Sequence, residues 1–316
     1  MAAATNTQDV FETIGIREDL SEVISRIDPV ETPFQSNVGK MSINNTYFEW
    51  QTQSLASSNA SNAHIQGDIT AAAAITPTSR VGNRTQISKK VCTIADTVNA
   101  VNSAGRANDT KYNMLLKGLE LKRDMEARSV GNYASVAGNA TTAAQTGGLQ
   151  AWCTSNISAG SGGSGGGFGS GVVAAMTGGT DRTFTEALLK SVHQSVYESG
   201  GKASMLMMSP TQKTVFSGFA GLSATRVNNP DGQTKIIGGA DVYVGDFGTL
   251  TATVNLFQDA DSAILVDTSK AKIATLRPMK QRKLAKTGDA EVYDIVCEWG
   301  LMVENEAAMG VIADLT

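Results

Sequence analysis

The stretch DTKYNMLLKGLELKRDMEARSVG, residues 109–131, specifies a single long amphipathic helix. We expect Asp109 to cap its N-terminus and Gly131 to end it. At about 1.5 Å per residue the helix is about 33 Å long, so it should serve as a rod against which other elements pack. Its apolar face is predicted to consist of Tyr112, Leu115, Leu116, Leu119 and Met125. Its charged face is predicted to carry Lys117, Glu120, Arg123, Asp124 and Arg128, with a weak Asp124–Arg128 ion pair.

The composition favours a β-rich chain with many turns and extended arms. Of the 316 residues, 41% are hydrophobic, only 18% are charged and 32 are glycine. Such a length fits one large domain or two of ordinary size. The net charge of -4, without a basic stripe, argues against a protein that holds nucleic acid by counterion release.

Neither a secretory signal nor a membrane span is evident. The first residues lack a basic and an apolar region, and no apolar run reaches 18 residues. We therefore expect a protein that is made in the cytosol and does not enter a membrane. Cys92, Cys153 and Cys297 are odd in number and widely spaced, which favours buried thiols over disulfides or a zinc site.

The first 40 residues form an arm in this interpretation. Residues 16–27, IREDLSEVISRI, place Leu20, Val23, Ile24 and Ile27 on one face of a short helix. Pro29 and Pro33 then favour an extended course. The apolar stripe of this helix must pack against something beyond the arm itself.

A long polar hairpin is predicted next. Residues 47–53 and 80–91 alternate as strands do, and a polar, alanine-rich tip, residues 55–79, joins them. Such a hairpin is marginal alone. Strands of about 12 residues at about 3.3 Å per residue reach about 40 Å, far enough to lie on a neighbouring molecule.

Residues 134–179 are rich in Gly, Ala, Ser and Thr, including the run SAGSGGSGGGFGSG. The glycines are not followed by Lys-Ser/Thr and no apolar strand leads into them, so a phosphate-binding loop is disfavoured. We expect a flexible surface loop, interrupted only by the apolar segment GLQAWCTSNI.

The second half of the chain has an α/β pattern. Residues 183–198 predict a helix with Thr183 and Glu186 as a capping box, and Ser209 and Pro210 predict the start of another. Strands are predicted at 205–208, 235–237, 242–244, 253–257, 263–267, 272–276, 291–303 and 309–313.

Few residues suggest chemistry. His193 falls within a predicted helix and His64 within the hairpin tip, and neither belongs to a nucleophile motif. Asp259 and Asp261 lack the remaining ligands of a calcium loop, so a turn is the better interpretation. Near the C-terminus, Glu298, Glu304 and Glu306 are expected in structural ion pairs. A basic cluster comprises Arg277, Lys280, Arg282, Lys283 and Lys286, and phosphate, a partner's acidic patch and solvent all remain open as what it faces.

The order of these elements resembles the major capsid protein fold of tailed double-stranded DNA bacteriophages, which encapsulins and the herpesvirus capsid floor share. The resemblance is carried by REDLSEVISRIDPVETPF, RVGNRTQISKKV, GLQAWCTSN, SPTQKTVFSGF, DVYVGDFG and the ending LAKTGDAEVYDIVCEWGLMVENEAAMGVI. It implies an α+β fold with an N-terminal arm at 1–40, an extended hairpin called the E-loop at 41–98, and a peripheral P-domain at 99–201 that contains the spine helix. An axial A-domain at 202–266 and return strands to the P-domain at 267–316 complete the chain.

The resemblance also implies the function. Subunits of the family assemble into hexamers and pentamers of an icosahedral head that encloses double-stranded DNA without reading its sequence. The chain would be made in the host cytoplasm and reside in the virion, with no catalytic residue, cofactor or metal. A separate scaffold protein, a portal and, in some phages, a decoration protein would be its partners. Candidate contacts between subunits are Leu20, Ile24, Tyr47, Trp50, Arg80, Arg84, Lys89, Lys90 and Arg282.

Three further interpretations were weighed. Lys89 or Lys90 with Asn305 matches the residue types of the intersubunit crosslink of some relatives, but the spacing is not distinctive and we expect none. An encapsulin-type cytosolic shell, loaded with an enzyme instead of DNA, is the alternative within the fold. A cysteine or serine hydrolase on the α/β segment is the third hypothesis.

Overall fold

A computed structural model describes residues 28–67, 69, 75–101, 108–219, 241–286 and 288–316. The predicted arm helix at 16–27, with Leu20 and Ile24, and the predicted strand at 235–237 lie outside these residues.

Helices and strands alternate irregularly along the chain. The helices are α1 (Pro33–Asn37), α2 (Asp96–Ala100), α3 (Asp109–Val130), α4 (Leu149–Trp152), α5 (Glu186–Glu198) and α6 (Pro210–Ser217). The first strands are β1 (Gly39–Ser42), β2 (Tyr47–Thr52), β3 (Ser79–Arg84), β4 (Gln86–Ala95), β5 (Ile157–Ser158), β6 (Gly167–Gly169) and β7 (Val172–Ala174). The others are β8 (Met205–Met208), β9 (Val242–Gly245), β10 (Gly248–Val254), β11 (Ala263–Val266), β12 (Ala271–Lys283), β13 (Ala290–Val303) and β14 (Gly310–Ile312).

Two sheets organise these elements. A four-stranded sheet has the order β1-β12-β13-β4, and a six-stranded sheet has the order β5-β14-β11-β8-β10-β9. The pairs β2–β3 and β6–β7 form separate hairpins. One hydrophobic cluster joins α3 and the four-stranded sheet to one face of the larger sheet, and a second lies beneath α5 and α6. The mixed architecture confirms the predicted α+β class.

The spine helix has the predicted length, although its ends and its buried face differ from the prediction. The N-cap is Asn108 rather than Asp109, and its side chain accepts a hydrogen bond from Lys111 N at 2.9 Å. Gly131 ends the helix in an extended conformation, where a Cβ on Gly148 would lie 2.1 Å from the Gly131 carbonyl oxygen. The chain needs glycine at this crossing because two backbones touch there.

The buried face of α3 is set by its contacts with β4 and β13. Met114, Leu121 and Met125 are buried, whereas Leu115 is 61% exposed, so the predicted apolar face was partly wrong. The predicted pair of Asp124 with Arg128 was also wrong, because groups outside the helix lie nearer to both side chains. Asp124 pairs with Lys90 at 2.7 Å. Arg128 donates to the carbonyl oxygens of Thr146 and Ala134.

The arm and the hairpin each differ from the prediction at one point. Pro33 begins α1 instead of an extended segment, because proline suits the first turn of a helix. The single strand predicted over 80–91 divides at Thr85 into β3 and β4. Asn83 fixes this division: its buried amide donates to Leu301 O at 2.7 Å, while Gly147 N donates to its Oδ1 at 3.0 Å. Beyond it, β4 pairs with β13.

The prediction of a flexible surface loop over 134–179 was wrong. The stretch contains α4 and three short strands, and Leu149, Trp152 and Val173 within it are buried. The Asp314 carboxylate accepts hydrogen bonds from Gly160 N at 2.7 Å and Gly179 N at 2.9 Å. Main-chain groups and one distant carboxylate therefore replace the side-chain packing that glycines cannot supply.

The second half follows the predicted order of elements with shifted boundaries. Thr185, not Thr183, caps α5, whereas Ser209 caps α6 as predicted. The strand predicted at 253–257 is β10, which ends at Val254 because its partners β8 and β9 set its register. The strand predicted at 272–276 continues to Lys283 because β13 pairs with it along this length, apart from two register shifts between Thr275 and Lys280.

Candidate assembly surfaces

The base of the E-loop hairpin is anchored in its own subunit. Trp50 stacks between Phe48 and Trp152, with ring centroids at 5.9 and 5.3 Å, and its Nε1 donates to Glu304 O at 3.1 Å. The Arg84 guanidinium lies over the Tyr47 ring at 4.7 Å, and the hairpin register pairs these two residues. Aromatic side chains therefore fix the direction in which the hairpin leaves the subunit.

The tip of the hairpin presents large aliphatic side chains to solvent. Leu55 is 98% exposed, Ile65 82% and Ile75 89%. They lie on a polar, alanine-rich segment with no described strand or helix from Gln53 to Thr78. This tip cannot bury its own apolar groups, which makes it a candidate contact surface.

The remaining predicted contact residues are dispersed. Arg80 pairs with Glu49 at 3.0 Å on the outside of the hairpin, and Lys90 is held against α3 by Asp124. Lys89 is exposed. Arg282 lies on β12 and forms a bidentate pair with Asp294, at 3.1 and 2.6 Å. Of the predicted set, Tyr47 and Arg84 contact each other across the hairpin. Asn305, the candidate crosslink partner, caps a short turn by accepting from Ala307 N.

Four members of the basic cluster on and after β12, Arg277, Arg282, Lys283 and Lys286, form ion pairs within the chain. Arg277 pairs with Glu298 at 2.6 Å and Lys283 with Glu291 at 2.5 Å, in addition to the Arg282–Asp294 pair. Lys272 pairs with Glu304 and Lys286 with Asp96. The predicted structural ion pairs of Glu298 and Glu304 are confirmed. Glu306 instead accepts from Thr154 N and Ser155 N, because it lies beside the α4 end.

A buried carboxylate on α3 was missed in the sequence. Glu126 is fully buried and accepts hydrogen bonds from Phe34 N at 2.7 Å, Gln35 N at 3.1 Å and Asn255 Nδ2 at 2.8 Å. Burial raises the pKa of Glu126, and these hydrogen bonds oppose the rise. The side chain joins the arm, the spine helix and the strand end of β10. No sequence signal distinguishes it from the exposed acids of the same helix.

The three cysteines and His193 are packed away from solvent, whereas His64 and Asp261 are exposed. Cys92, Cys153 and Cys297 are buried free thiols. Burial raises the pKa of Cys153 and raises that of Cys297 to about 11, which opposes formation of a thiolate. His193 is buried on α5, and burial lowers its pKa. Asp259 accepts from Asn132 N at 3.2 Å, in a turn as expected. Within the described ranges no helix has the length and apolarity to cross a membrane.

Solved structures with this fold include capsids and an encapsulin. A chain from Gordonia phage Cozz is similar with a TM-score of 0.62 at 13% identity, covering 99% of this chain and 97% of that one. The capsid of a native GTA particle gives 0.64 at 10% identity, covering 97% and 98%. The SrpI encapsulin of Synechococcus elongatus gives 0.56 at 9% identity, covering 94% and 92%. At these identities the likeness shows the fold alone, and it confirms the predicted one.

Sequence comparison is more specific. The major capsid protein of Escherichia phage Phieco32 is 28% identical, and the alignment covers 96% of this chain and 95% of that protein. The model of the SU10 major capsid protein family matches residues 3–316. The resemblance inferred from the sequence motifs is thereby confirmed, and the encapsulin alternative gains no comparable support. The chain therefore belongs to the SU10 major capsid protein family, and it is a structural protein of the virion capsid.

Proposed function

We propose that subunits assemble into hexamers and pentamers of an icosahedral head, and that the tip of each E-loop hairpin lies on a neighbouring subunit. The observation that carries the proposal is the near-complete exposure of Leu55, Ile65 and Ile75 on a tip held away from the core. Burying three such side chains contributes about 1.5–3 kcal/mol each at a neighbour's surface. A contact from one subunit's arm to the next subunit's body closes into rings.

Each predicted segment of the chain has a proposed role in this assembly. The arm (1–40), the E-loop (41–98), the P-domain (99–201 with 267–316) and the A-domain (202–266) are proposed to act as the corresponding parts of tailed-phage capsid subunits. Tyr47, Arg80, Arg84 and Lys89 are proposed contacts near the hairpin. A separate scaffold protein, a portal and, where present, a decoration protein are the proposed partners, and double-stranded DNA is the proposed content.

The proposed role is structural and not catalytic. A cysteine hydrolase needs an accessible thiolate beside a base. The three thiols are buried, with raised pKa values, and His193 packs edge-to-face on Phe247 at 5.8 Å. These positions support a packing role for both residue types.

The assembly proposal is tested by replacing Leu55, Ile65 and Ile75 together with serine. We expect the full-length chain, supplied with a scaffold protein, to form shells or rings in negative-stain micrographs and sedimentation, and the triple variant to remain as free subunits. The matched control replaces Ser54, Ser57 and Ser58 of the same tip with alanine and should assemble normally. Unchanged assembly of the triple variant would refute the role of the tip. Particles from infected cells that hold a cargo enzyme and no DNA would favour the encapsulin alternative.

A further inference from the structure

The Arg84 guanidinium has unused hydrogen-bond donors at the base of the hairpin. It lies over the Tyr47 ring at 4.7 Å, a cation–π contact that supplies no acceptor for its N–H groups. In the part of the chain that the structure describes, no group accepts a hydrogen bond from this guanidinium, and its Nε is buried. Leaving a buried charged donor without an acceptor is costly, which points to a partner from outside the subunit.

Arg128 provides a comparison within the same chain. It also lies over a tyrosine ring, that of Tyr133, at 4.7 Å. Its Nε nevertheless donates to Thr146 O at 2.9 Å, and its Nη2 donates to Ala134 O at 2.8 Å. Stacking on a tyrosine therefore does not replace acceptors in this fold, and Arg84 is short of them.

Arg84 lines a pocket of about 310 Å³ at the root of the hairpin, where β3 passes into β4. Small or apolar residues form much of the wall: Ile87, Gly138, Ala143 and Ala144. This volume is at the small end of the range for ligand pockets, so it suits one side chain or a small ion and not a helix.

The charges inside the pocket favour an anion. Its lining carries two charged side chains, Arg84 and Glu298. The Glu298 carboxylate already has partners in its own chain, because Oε2 pairs with Arg277 Nε at 2.6 Å and Oε1 accepts from Thr85 Oγ1 at 3.0 Å. Arg277 and Glu298 cancel, and the charge of Arg84 is left uncompensated.

The charges next to the pocket have the same sign. Lys89 of β4 and Lys280 of β12 share one register position of the sheet, two residues from Glu298. Neither lysine forms an ion pair within the described ranges. The next acid on this face of β13, Asp294, is already paired with Arg282. The surface around the pocket therefore attracts anions.

A carboxylate side chain fits this pocket better than a phosphate of DNA. A carboxylate presents two oxygens in one plane, which matches the planar fork of a guanidinium. In a duplex each phosphate is flanked by others, and these would meet the Glu298 carboxylate and the apolar wall. Every copy of the chain also offers exposed acids that form no ion pair among the described residues, including Glu31, Asp181, Asp246 and Asp289.

We propose that Arg84 binds an aspartate or glutamate side chain of a second copy of this chain, which enters the pocket when subunits assemble. This site rests on the proposed assembly and names the chemical group that the hairpin base receives. It is a charged contact at the root of the hairpin, separate from the apolar contact of the tip.

Replacing Arg84 with glutamine tests the site. In the presence of scaffold protein and without DNA, the subunit concentration needed for assembly should rise about tenfold in Arg84→Gln, because each contact loses a charge-assisted hydrogen bond. The control Lys190→Gln removes a charge already paired with Glu186 of the same subunit and should change this concentration less than about twofold. Free subunits of all three proteins should unfold at nearly the same urea concentration.

Three outcomes of this comparison would overturn the site. The first is normal assembly of Arg84→Gln. The second is a loss of assembly together with easier unfolding of the free subunit, since Arg84 would then act within its own chain. The third is a defect that appears only in particles filled with DNA, which would assign the pocket to phosphate.

Charge reversal identifies the partner acid. Arg84→Glu should block assembly, and each of the 30 acids of the chain is then replaced singly by lysine in that background. Restored assembly from an acid outside the pocket supports the site and names its partner. Restoration by Glu298→Lys alone would show that the pocket balances its charge within the subunit, and restoration by no acid would exclude a carboxylate partner. Either result overturns the proposal.

Failure of this site and failure of the hairpin tip can be told apart. The serine variant of Leu55, Ile65 and Ile75 keeps Arg84, and Arg84→Gln keeps the tip. Loss of assembly in the serine variant alone would refute the Arg84 site and leave the role of the tip intact. Loss in Arg84→Gln alone would do the reverse.

Discussion

Glu126 is the residue whose environment departs furthest from its sequence context. Its carboxylate accepts hydrogen bonds from two backbone N–H groups of α1 and from the Asn255 side-chain amide. It therefore caps a helix that is 92 residues away in sequence. No described cation lies in this set of partners. Desolvation therefore dominates and raises the pKa of Glu126.

The first prediction concerns this carboxyl group. Glu126→Gln removes one of two acceptor oxygens and should lower the free energy of unfolding of unassembled subunits by about 2 kcal/mol at pH 7. Because the folded pKa is raised, the folded state binds the proton more tightly than the unfolded state. The stability from this group is thus greatest below the ordinary glutamate pKa of about 4.3 and is lost as the pH rises through the raised value.

The difference in stability between the unaltered protein and Glu126→Gln should therefore be larger at pH 5 than at pH 7. Urea unfolding at the two pH values measures it. A difference that shrinks on acidification would mean that the hydrogen bonds, and not burial, control this carboxyl group.

At the scale of elements, the hairpin depends on a few aromatic contacts at its base. Trp50→Ala removes the stacking with Phe48 and Trp152 and should lower the unfolding free energy by about 3 kcal/mol, the lower end of the range for a lost aromatic ring. Trp50→Phe keeps a ring but loses the hydrogen bond to Glu304 O, so about 1 kcal/mol is expected.

Hydrogen exchange distinguishes this anchoring from general destabilisation. In Trp50→Ala the amides of β2 and β3 should exchange faster, while those of β8 and β11 in the six-stranded sheet keep their protection. Uniform acceleration in both sheets would show that Trp50 supports the whole fold instead of the hairpin.

The long elements could be predicted from sequence in position, but not in the face that they bury. The spine helix spans Asp109–Val130 and β13 spans Ala290–Val303, close to the predicted bounds, whereas the buried residues of the helix differ from its predicted apolar face and β13 buries eight consecutive residues. Elements stabilised by distant partners could not be predicted. The charged end of β12 becomes a strand because acids of β13 neutralise it, and the glycine-rich stretch is ordered by Asp314. At the assembly surface, the hairpin pattern puts Tyr47 and Arg84 on neighbouring strands. In contrast, no local sequence pattern identifies Glu126 as a buried residue.

At the scale of the whole molecule, the net charge of -4 and the ion pairs of Arg277 and Arg282 on β12 together predict weak attraction to DNA. Free subunits should bind a labelled duplex no more tightly than about 10⁻⁴ M at physiological salt, the weak end of non-specific binding. Fluorescence anisotropy measures this affinity.

A double variant, Asp96→Asn with Glu291→Gln, releases Lys286 and Lys283 and provides the comparison. It should bind the duplex more tightly, and the gain should vanish as salt is raised. Tight binding by the unaltered subunit would instead show that another face of the molecule contacts DNA.

The hairpin base and the edge strand β4 each have one partner near the far end of the polypeptide. Trp50 bonds to a carbonyl 254 residues later, and β4 pairs with β13. The entropy of closing such long loops is lost before the contacts contribute any favourable free energy. Folding should therefore be slow for a chain of 316 residues. During synthesis β4 lacks its partner strand β13 until the last residues are made, and unpaired strands are prone to aggregate. Newly made subunits are therefore expected to be clients of the host's chaperones before they become building blocks of a head.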